Sequence, residues 1–189
     1  MEIDEEKLIS NLRPLKELEQ IGESTLKAAA VLIPLVNVDG AWNLLFTRRT
    51  STVSSHSGEV SFPGGAWEKS DLSMAETAIR EANEEIGLPR ESLVLFGGMA
   101  PVGTVSSYCV YPIVGKILWP FEIILNKEEV ENVFLLPLDW LSDAKNFYFR
   151  EHHYNGSAIR NVIHYMDYQG EHLWGFTAKL THLLIELLK

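Results

Sequence analysis

Glu81, Glu84 and Glu85 stand at i, i+3 and i+4, the spacing that brings side chains onto one face of a helix. Three carboxylates held that close repel one another, and the arrangement becomes favourable when a cation sits among them. Carboxylate oxygens are hard donors that suit Mg²⁺ or Mn²⁺, ions that keep part of their water shell and bind substrate phosphates. The three belong to the run Arg80-Glu81-Ala82-Asn83-Glu84-Glu85-Ile86-Gly87-Leu88, in which Gly87 is placed to stop the helix as a C-cap. Pro63-Gly64-Gly65 precedes the helix and reads as a turn whose small residues expose backbone. An acidic run by itself usually marks a solvated helix face. The ordered set of a Gly-Gly pair, a spacer, Arg-Glu-x-x-Glu-Glu and a glycine stop argues for metal chemistry instead.

This set resembles the Nudix box, G-x5-E-x7-R-E-U-x-E-E-x-G-U, where U is aliphatic. Counted from Gly65, the box glutamate falls on Asp71, eight residues rather than seven separate Asp71 from Arg80, and Ala82 fills an aliphatic slot. A loop absorbs one extra residue easily, and the ligand-bearing half is intact. The spacing is similar to that of one branch, the coenzyme A diphosphatases, which carry Gly-Gly-x-x-Asp-x-x-Asp; Glu68 stands here in place of the first Asp.

A second motif of that branch, L-L-T-x-R-[SA]-x3-R-x3-G-x3-F-P-G-G, runs in register from Leu45-Phe46-Thr47-Arg48-Arg49-Thr50 through Gly58 to Phe62-Pro63-Gly64-Gly65. Its second arginine falls on Ser54, and serine cannot supply the bidentate phosphate contact of an arginine. Leu173-Trp174-Gly175-Phe176-Thr177-Ala178 resembles the branch's Ile-Trp-Gly-Leu-Thr-Ala at the start of the last helix, so the likeness covers about residues 27 to 188.

The resemblance implies metal-dependent hydrolysis of a diphosphate in a nucleoside diphosphate derivative. Coenzyme A or acyl-CoA would give 3′,5′-ADP and (acyl-)4′-phosphopantetheine; ADP-ribose, NADH and dinucleoside polyphosphates are the alternatives, and a non-catalytic binding module stands further off. It implies that Glu81, Glu84, Glu85 and the Gly65 carbonyl hold the metal, that Arg80 orients the glutamates, and that Arg48, Arg49 and Gly64 meet the substrate. The general base is left open between Glu84 and a glutamate from a later loop, with Glu128, Glu129 and Glu131 available and Glu129 carried forward. A homodimer is left open.

The elements that must position these residues follow from periodicity. Residues 5–20 have helical apolar spacing interrupted at Pro14 and read as an N-terminal helical arm within residues 1–24, ahead of a single domain at 25–189. Lys27–Val38 and Trp42–Arg49 read as strands joined by an Asp39-Gly40 hairpin turn, and residues 50–64 as a loop. Ser73 and Glu76 form a capping box for the glutamate helix, whose Ala75, Ala78, Ile79 and Ala82 would face a sheet. Strands follow at Leu93–Met99, Tyr108–Ile117, Val133–Leu136, Phe147–His153 and Asn161–Tyr168, and then a core helix at Thr177–Leu188 with a Leu180, Leu183, Leu184, Leu187, Leu188 stripe. Mixed strands with two long helices imply an α/β/α sandwich around a mixed β-sheet.

The formal charge of −10 argues against a nucleic-acid partner, and an anionic substrate must be drawn by local metal and arginine charge. Cys109 is the only cysteine, so an intrachain disulfide is excluded; it reads as a strand residue rather than a nucleophile. The acidic start lacks the features of a signal peptide and no apolar run is long enough to span a bilayer, which points to a cytoplasmic protein with no membrane role. His152, His153 and His164 lack zinc spacing and are assigned structural or surface roles. Trp67 and Tyr108 are the aromatic candidates to stack on an adenine ring.

Overall fold

A computed structural model describes residues 2–18, 26–50, 58–154 and 157–189. Ser54, with the rest of residues 51–57, lies outside the described residues, as do residues 19–25 that join the N-terminal arm to the first strand. Two elements carry the arm, α1 (Glu5–Asn11) and a 3₁₀ turn at Leu15–Leu18 on the far side of Pro14. The strands are β1 (Lys27–Val38), β2 (Ala41–Arg49), β3 (Val60–Ser61), β4 (Gly64–Ala66), β5 (Leu93–Gly98), β6 (Val102–Gly103), β7 (Tyr108–Ile117), β8 (Val130–Pro137), β9 (Phe147–Tyr154) and β10 (Ser157–Tyr165). The remaining helices are α2 (Met74–Ile86), α3 (Leu138–Ser142) and α4 (Gly175–Leu188).

β1 is the organising strand. On one edge it pairs in parallel with β7 along Lys27–Val36. Its other edge is shared: β2 takes Leu35–Val38 and β4 takes Ala29–Val31, both antiparallel. Beyond that fork β2 pairs with β3 and β8, and β5 and β6 extend the sheet from β7, giving one mixed sheet of eight strands. Asp39 and Gly40 both have positive φ in the turn that joins β1 to β2, as a two-residue hairpin requires. β9 and β10 form a separate two-stranded ribbon.

Alternation along β1 divides the core in two. Leu32 and Val36 pack with Met74, Ala78, Ala82 and Ile86 of α2, whereas Ile33 and Leu35 pack with Leu8 of α1, Leu138 and Leu141 of α3 and Leu180 and Leu184 of α4. Helices therefore cover both faces, and each fully buried large aliphatic contributes about 1.5–3 kcal/mol. The small Ala30, Ala78 and Ala82 bring α2 close against the strands, and that approach carries its glutamates to β4.

Four expectations shift. Pro63-Gly64-Gly65 is not a free turn, because Gly64 and Gly65 enter the sheet as part of β4. Within the capping box, the Ser73 hydroxyl accepts from the Glu76 amide at 3.2 Å, while the Glu76 carboxylate pairs with Arg90 at 2.9 Å. The strand expected at Val133–Leu136 starts earlier, at Val130, because its pairing with β2 extends to Arg49. On α4 the buried face is Ala178, Leu180, Thr181, Leu184 and Ile185, with Leu183 turned to solvent.

Candidate active site

β4 and α2 meet where the glycines allow it. A Cβ on Gly64 would strike the backbone of Ala30 and Val31, and one on Gly65 would fall on the Glu81 carboxylate. The glycine pair is thus set by close approach, and it places the Gly65 backbone against Glu81. Gly87 closes the helix in the left-handed region at φ 69°, its amide donating to Ala82 and Asn83.

Glu85 is the most unusual group in the molecule. Only 2% of it is exposed, and Oε2 has no hydrogen-bond partner among the described residues. The Gly64 amide donates to the carboxylate, and Arg49 Nη1 lies 3.8 Å from Oε1. Burial pushes the Glu85 carboxyl up to about 8; Arg49 opposes this, and the charges of Glu81 and Glu129 add to it. Burial likewise raises Glu81, against the Arg80 guanidinium and with Glu84 and Glu129. Glu129 is held by a 3.3 Å bond from the Asn126 amide, and its carbonyl accepts from the Thr50 amide at 2.9 Å.

Arg80 holds the acidic groups in place with every donor it has. Nε and Nη2 grip Asp71 at 3.0 and 3.1 Å, Nη1 reaches Glu81 and Glu84 at 2.9 Å each, and Nη2 also donates to the Ala66 carbonyl at 3.0 Å. Burial pushes Asp71 up, but the bonds from Arg80, the Glu68 amide and Thr77 outweigh it and hold the carboxyl below its ordinary range. Asp71 therefore fills the place of the box glutamate by anchoring Arg80. Glu84 extends into solvent, its side chain 54% exposed, with one oxygen on Arg80.

A hard dication fits part of this arrangement. Buried Glu85 has an orphaned oxygen, Glu81 lies against the Gly65 backbone, and Glu129 acts electrostatically on both glutamates. Among the described residues no three His, Cys, Asp or Glu side chains converge tightly enough to form a cage by themselves. Glu81, Glu85 and the Gly65 carbonyl could supply oxygens to such an ion, with other positions open to water and substrate; Glu84, also expected as a ligand, has one oxygen on Arg80 and a largely exposed side chain.

The paired arginines separate. Consecutive residues on β2 face opposite sides, so Arg49 turns toward α2 and Glu85 while Arg48 turns to the other face. There Arg48 is bound to Glu171 at 2.6 Å and to Glu131 at 3.3 Å. Both were expected at the substrate; Arg49 lines a substrate-sized cleft, and Arg48 is not among its lining residues.

That cleft, about 970 Å³, runs from Arg49, Gly65 and Ala66 past Tyr108 to His152 and His153 of β9 and to Trp174, Phe176 and Lys179 at the start of α4. Tyr108, one of the two aromatic candidates, lines this cleft. Trp67 instead packs beside the α2 core and donates to the Asp71 carbonyl at 3.3 Å. Glu59, Lys179 and the two histidines of the cleft were missed as site residues, since only the folding of the β9–β10 ribbon and α4 onto the sheet brings them there. Cys109 is half-buried on β7 beside the α2 core, away from this lining.

The model of the NUDIX domain matches residues 26–155. The proteins named uncharacterized Nudix hydrolase NudL are similar: that of Pectobacterium atrosepticum is 35% identical over 92% of this chain and 85% of its own, and that of Photorhabdus laumondii 34% identical over 84% and 83%. Among solved structures, the M. smegmatis Nudix hydrolase RenU superposes with a TM-score of 0.51 at 23% identity, covering 60% of this chain and 71% of that one. A MutT/nudix family protein from Enterococcus faecalis gives 0.54 at 12% identity over 90% and 64%. With the domain match over most of its length and a glycine strand, an arginine-braced glutamate helix and a mixed sheet between helices to account for it, the chain belongs to the Nudix hydrolase family.

Proposed function

We propose that the protein hydrolyses the diphosphate of coenzyme A or acyl-CoA, releasing 3′,5′-ADP and 4′-phosphopantetheine or its acylated form. Nudix hydrolases act on diphosphate substrates and generally use divalent metal ions. The observation that carries the coenzyme A reading is spatial. The two segments that resemble the coenzyme A branch, Arg49 with Gly65 and Trp174-Gly175-Phe176-Thr177, are distant in sequence yet line the same cleft.

Glu81, Glu85 and the Gly65 carbonyl would hold Mg²⁺ or Mn²⁺, and the ion would supply charge neutralisation on the diphosphate and a water of lowered pKa. Arg80 fixes Glu81 and Glu84 and has no donor left for substrate. Arg49, beside Glu85 and at the cleft wall, offers the diphosphate its guanidinium. Glu129 is favoured over Glu84 as the base, because its charge acts on both Glu81 and Glu85. The Gly64 amide, expected to meet the substrate, donates to Glu85.

Purified protein assayed with each metal against coenzyme A, 3′-dephospho-coenzyme A, ADP-ribose, NADH and diadenosine polyphosphates tests the reading. Coenzyme A should show the highest kcat/KM, and Glu85→Gln should lower its kcat by on the order of 10²-fold. Faster cleavage of ADP-ribose or NADH with coenzyme A left intact would refute the substrate while leaving family membership in place.

A further inference from the structure

Beyond Arg49 and Gly65 the cleft carries further polar groups. In a chain of net charge −10, its wall carries Arg49, Lys179, His152 and His153 against a single carboxylate, Glu59. His152 is also the head of a hydrogen-bonded chain: its Nε2 lies 2.7 Å from His164 Nε2, His164 Nδ1 lies 3.1 Å from His172 Nε2, and His172 Nδ1 lies 2.7 Å from Asp167 Oδ1. Trp174 stacks on both His152 and His164, which fixes the rings.

An ionised Asp167 accepts from His172 Nδ1–H, so neutral His172 presents a lone pair at Nε2. His164 must then carry its proton on Nδ1, and His152 must donate from Nε2. Every proton points toward Asp167, and Nδ1 of His152 remains as the basic atom of the one ring in the chain that lines the cleft. Burial, together with the neighbouring His152, His172 and Arg150, holds the His164 pKa below its ordinary value. Protonated, His152 would present an Nδ1–H donor on the cleft wall that also carries Lys179.

We propose that Lys179 and His152, oriented by the His164–His172–Asp167 chain, form a second anion subsite that takes a phosphomonoester carried by the substrate away from its diphosphate. The first turn of α4 forms the same wall with its positive dipole end. On the coenzyme A reading, on which the identity of the ligand rests, that group is the ribose 3′-phosphate.

The subsite is tested by calorimetric binding of 3′,5′-ADP and 5′-AMP to the full chain, with no turnover involved. Wild-type protein at pH 6.5 should hold 3′,5′-ADP roughly tenfold more tightly, the scale of one charge-assisted contact. Lys179→Gln should remove most of that advantage. His152→Asn should reduce it as well. Equal affinity for the two nucleotides, or an advantage that survives in both Lys179→Gln and His152→Asn, would overturn the proposal. A protein that hydrolyses ADP-ribose in preference yet holds 3′,5′-ADP through Lys179 would keep the subsite and lose the substrate; coenzyme A turnover indifferent to the 3′-phosphate would do the reverse.

Discussion

Without metal, Glu85 should make the protein less stable as pH rises, and the size of the effect follows from its burial. The carboxyl ionises near 4.5 when exposed and near 8 in the fold, where only 2% of the residue reaches solvent. The folded state therefore binds more protons than the unfolded chain between those values, so stability is highest below about pH 4.5 and declines through the window up to about pH 8. At about 1.4 kcal/mol per unit the full penalty is on the order of 5 kcal/mol, a large share of a typical domain's stability. Glu81 acts in the same direction. Lowered His164 acts in the opposite one, gaining stability as pH rises toward 6.5, so the comparison must be made against a variant. Urea unfolding of chelator-treated wild type and Glu85→Gln at pH 5, 6.5 and 8 isolates the carboxyl. The stability difference should shift toward the variant by several kcal/mol between pH 5 and 8, and Mg²⁺ or Mn²⁺ should restore the wild type most at pH 8. Parallel pH profiles for the two proteins would refute the argument, because Glu85 would then be ionising as freely in the fold as in the unfolded chain.

Arg80→Lys should lower stability by about 2 kcal/mol, read from the urea midpoint, because Asp71 and Glu81 lose a fork that a single ammonium cannot replace. Gly65→Ala should weaken Mn²⁺ binding at least tenfold, followed by metal titration, since the added methyl displaces Glu81; unchanged affinity would separate β4 from the metal site. Tyr165→Phe should raise the Tm by about 2–4 °C with kcat/KM unaltered, because the buried hydroxyl lacks a hydrogen-bond partner among the described residues.

The glutamate helix was legible because its signals are local: Ser73 caps it, Gly87 ends it, and the intervening spacing fixes its faces. The hairpin at Asp39-Gly40 and the two-layered covering of the sheet were legible for the same reason. Gly64 and Gly65 were misread as a turn because glycine signals bends and close approaches alike; the partner strand that decides between them lies some thirty residues earlier in the chain. The pairing of Arg48 with Glu171 was hidden by the same kind of separation, although period-two alternation already implied that Arg48 and Arg49 part company. The histidine chain was least legible. Its members come from β9, β10 and the turn after β10, and no fixed spacing announces them.

The fork on β1 gives a meaning to Pro34, an unusual residue for the middle of a central strand. The Leu32 amide bonds to Pro63 on the forked edge, so the amide missing at residue 34 would have pointed the same way, into the interval between Val31 and Leu35 that neither β2 nor β4 occupies. The proline leaves no donor stranded there. It also acts as a stop on a zipper: continued in register past Leu35 and Leu44, β2 would bring Arg48 and Arg49 opposite Val31 and Ala30, the residues that hold Gly64 and Gly65. Two segments share one edge of the strand, and a residue with no N–H to donate stands in the interval between them. The point at which the glycine strand takes over is therefore written in an aliphatic residue that never touches a phosphate or a metal.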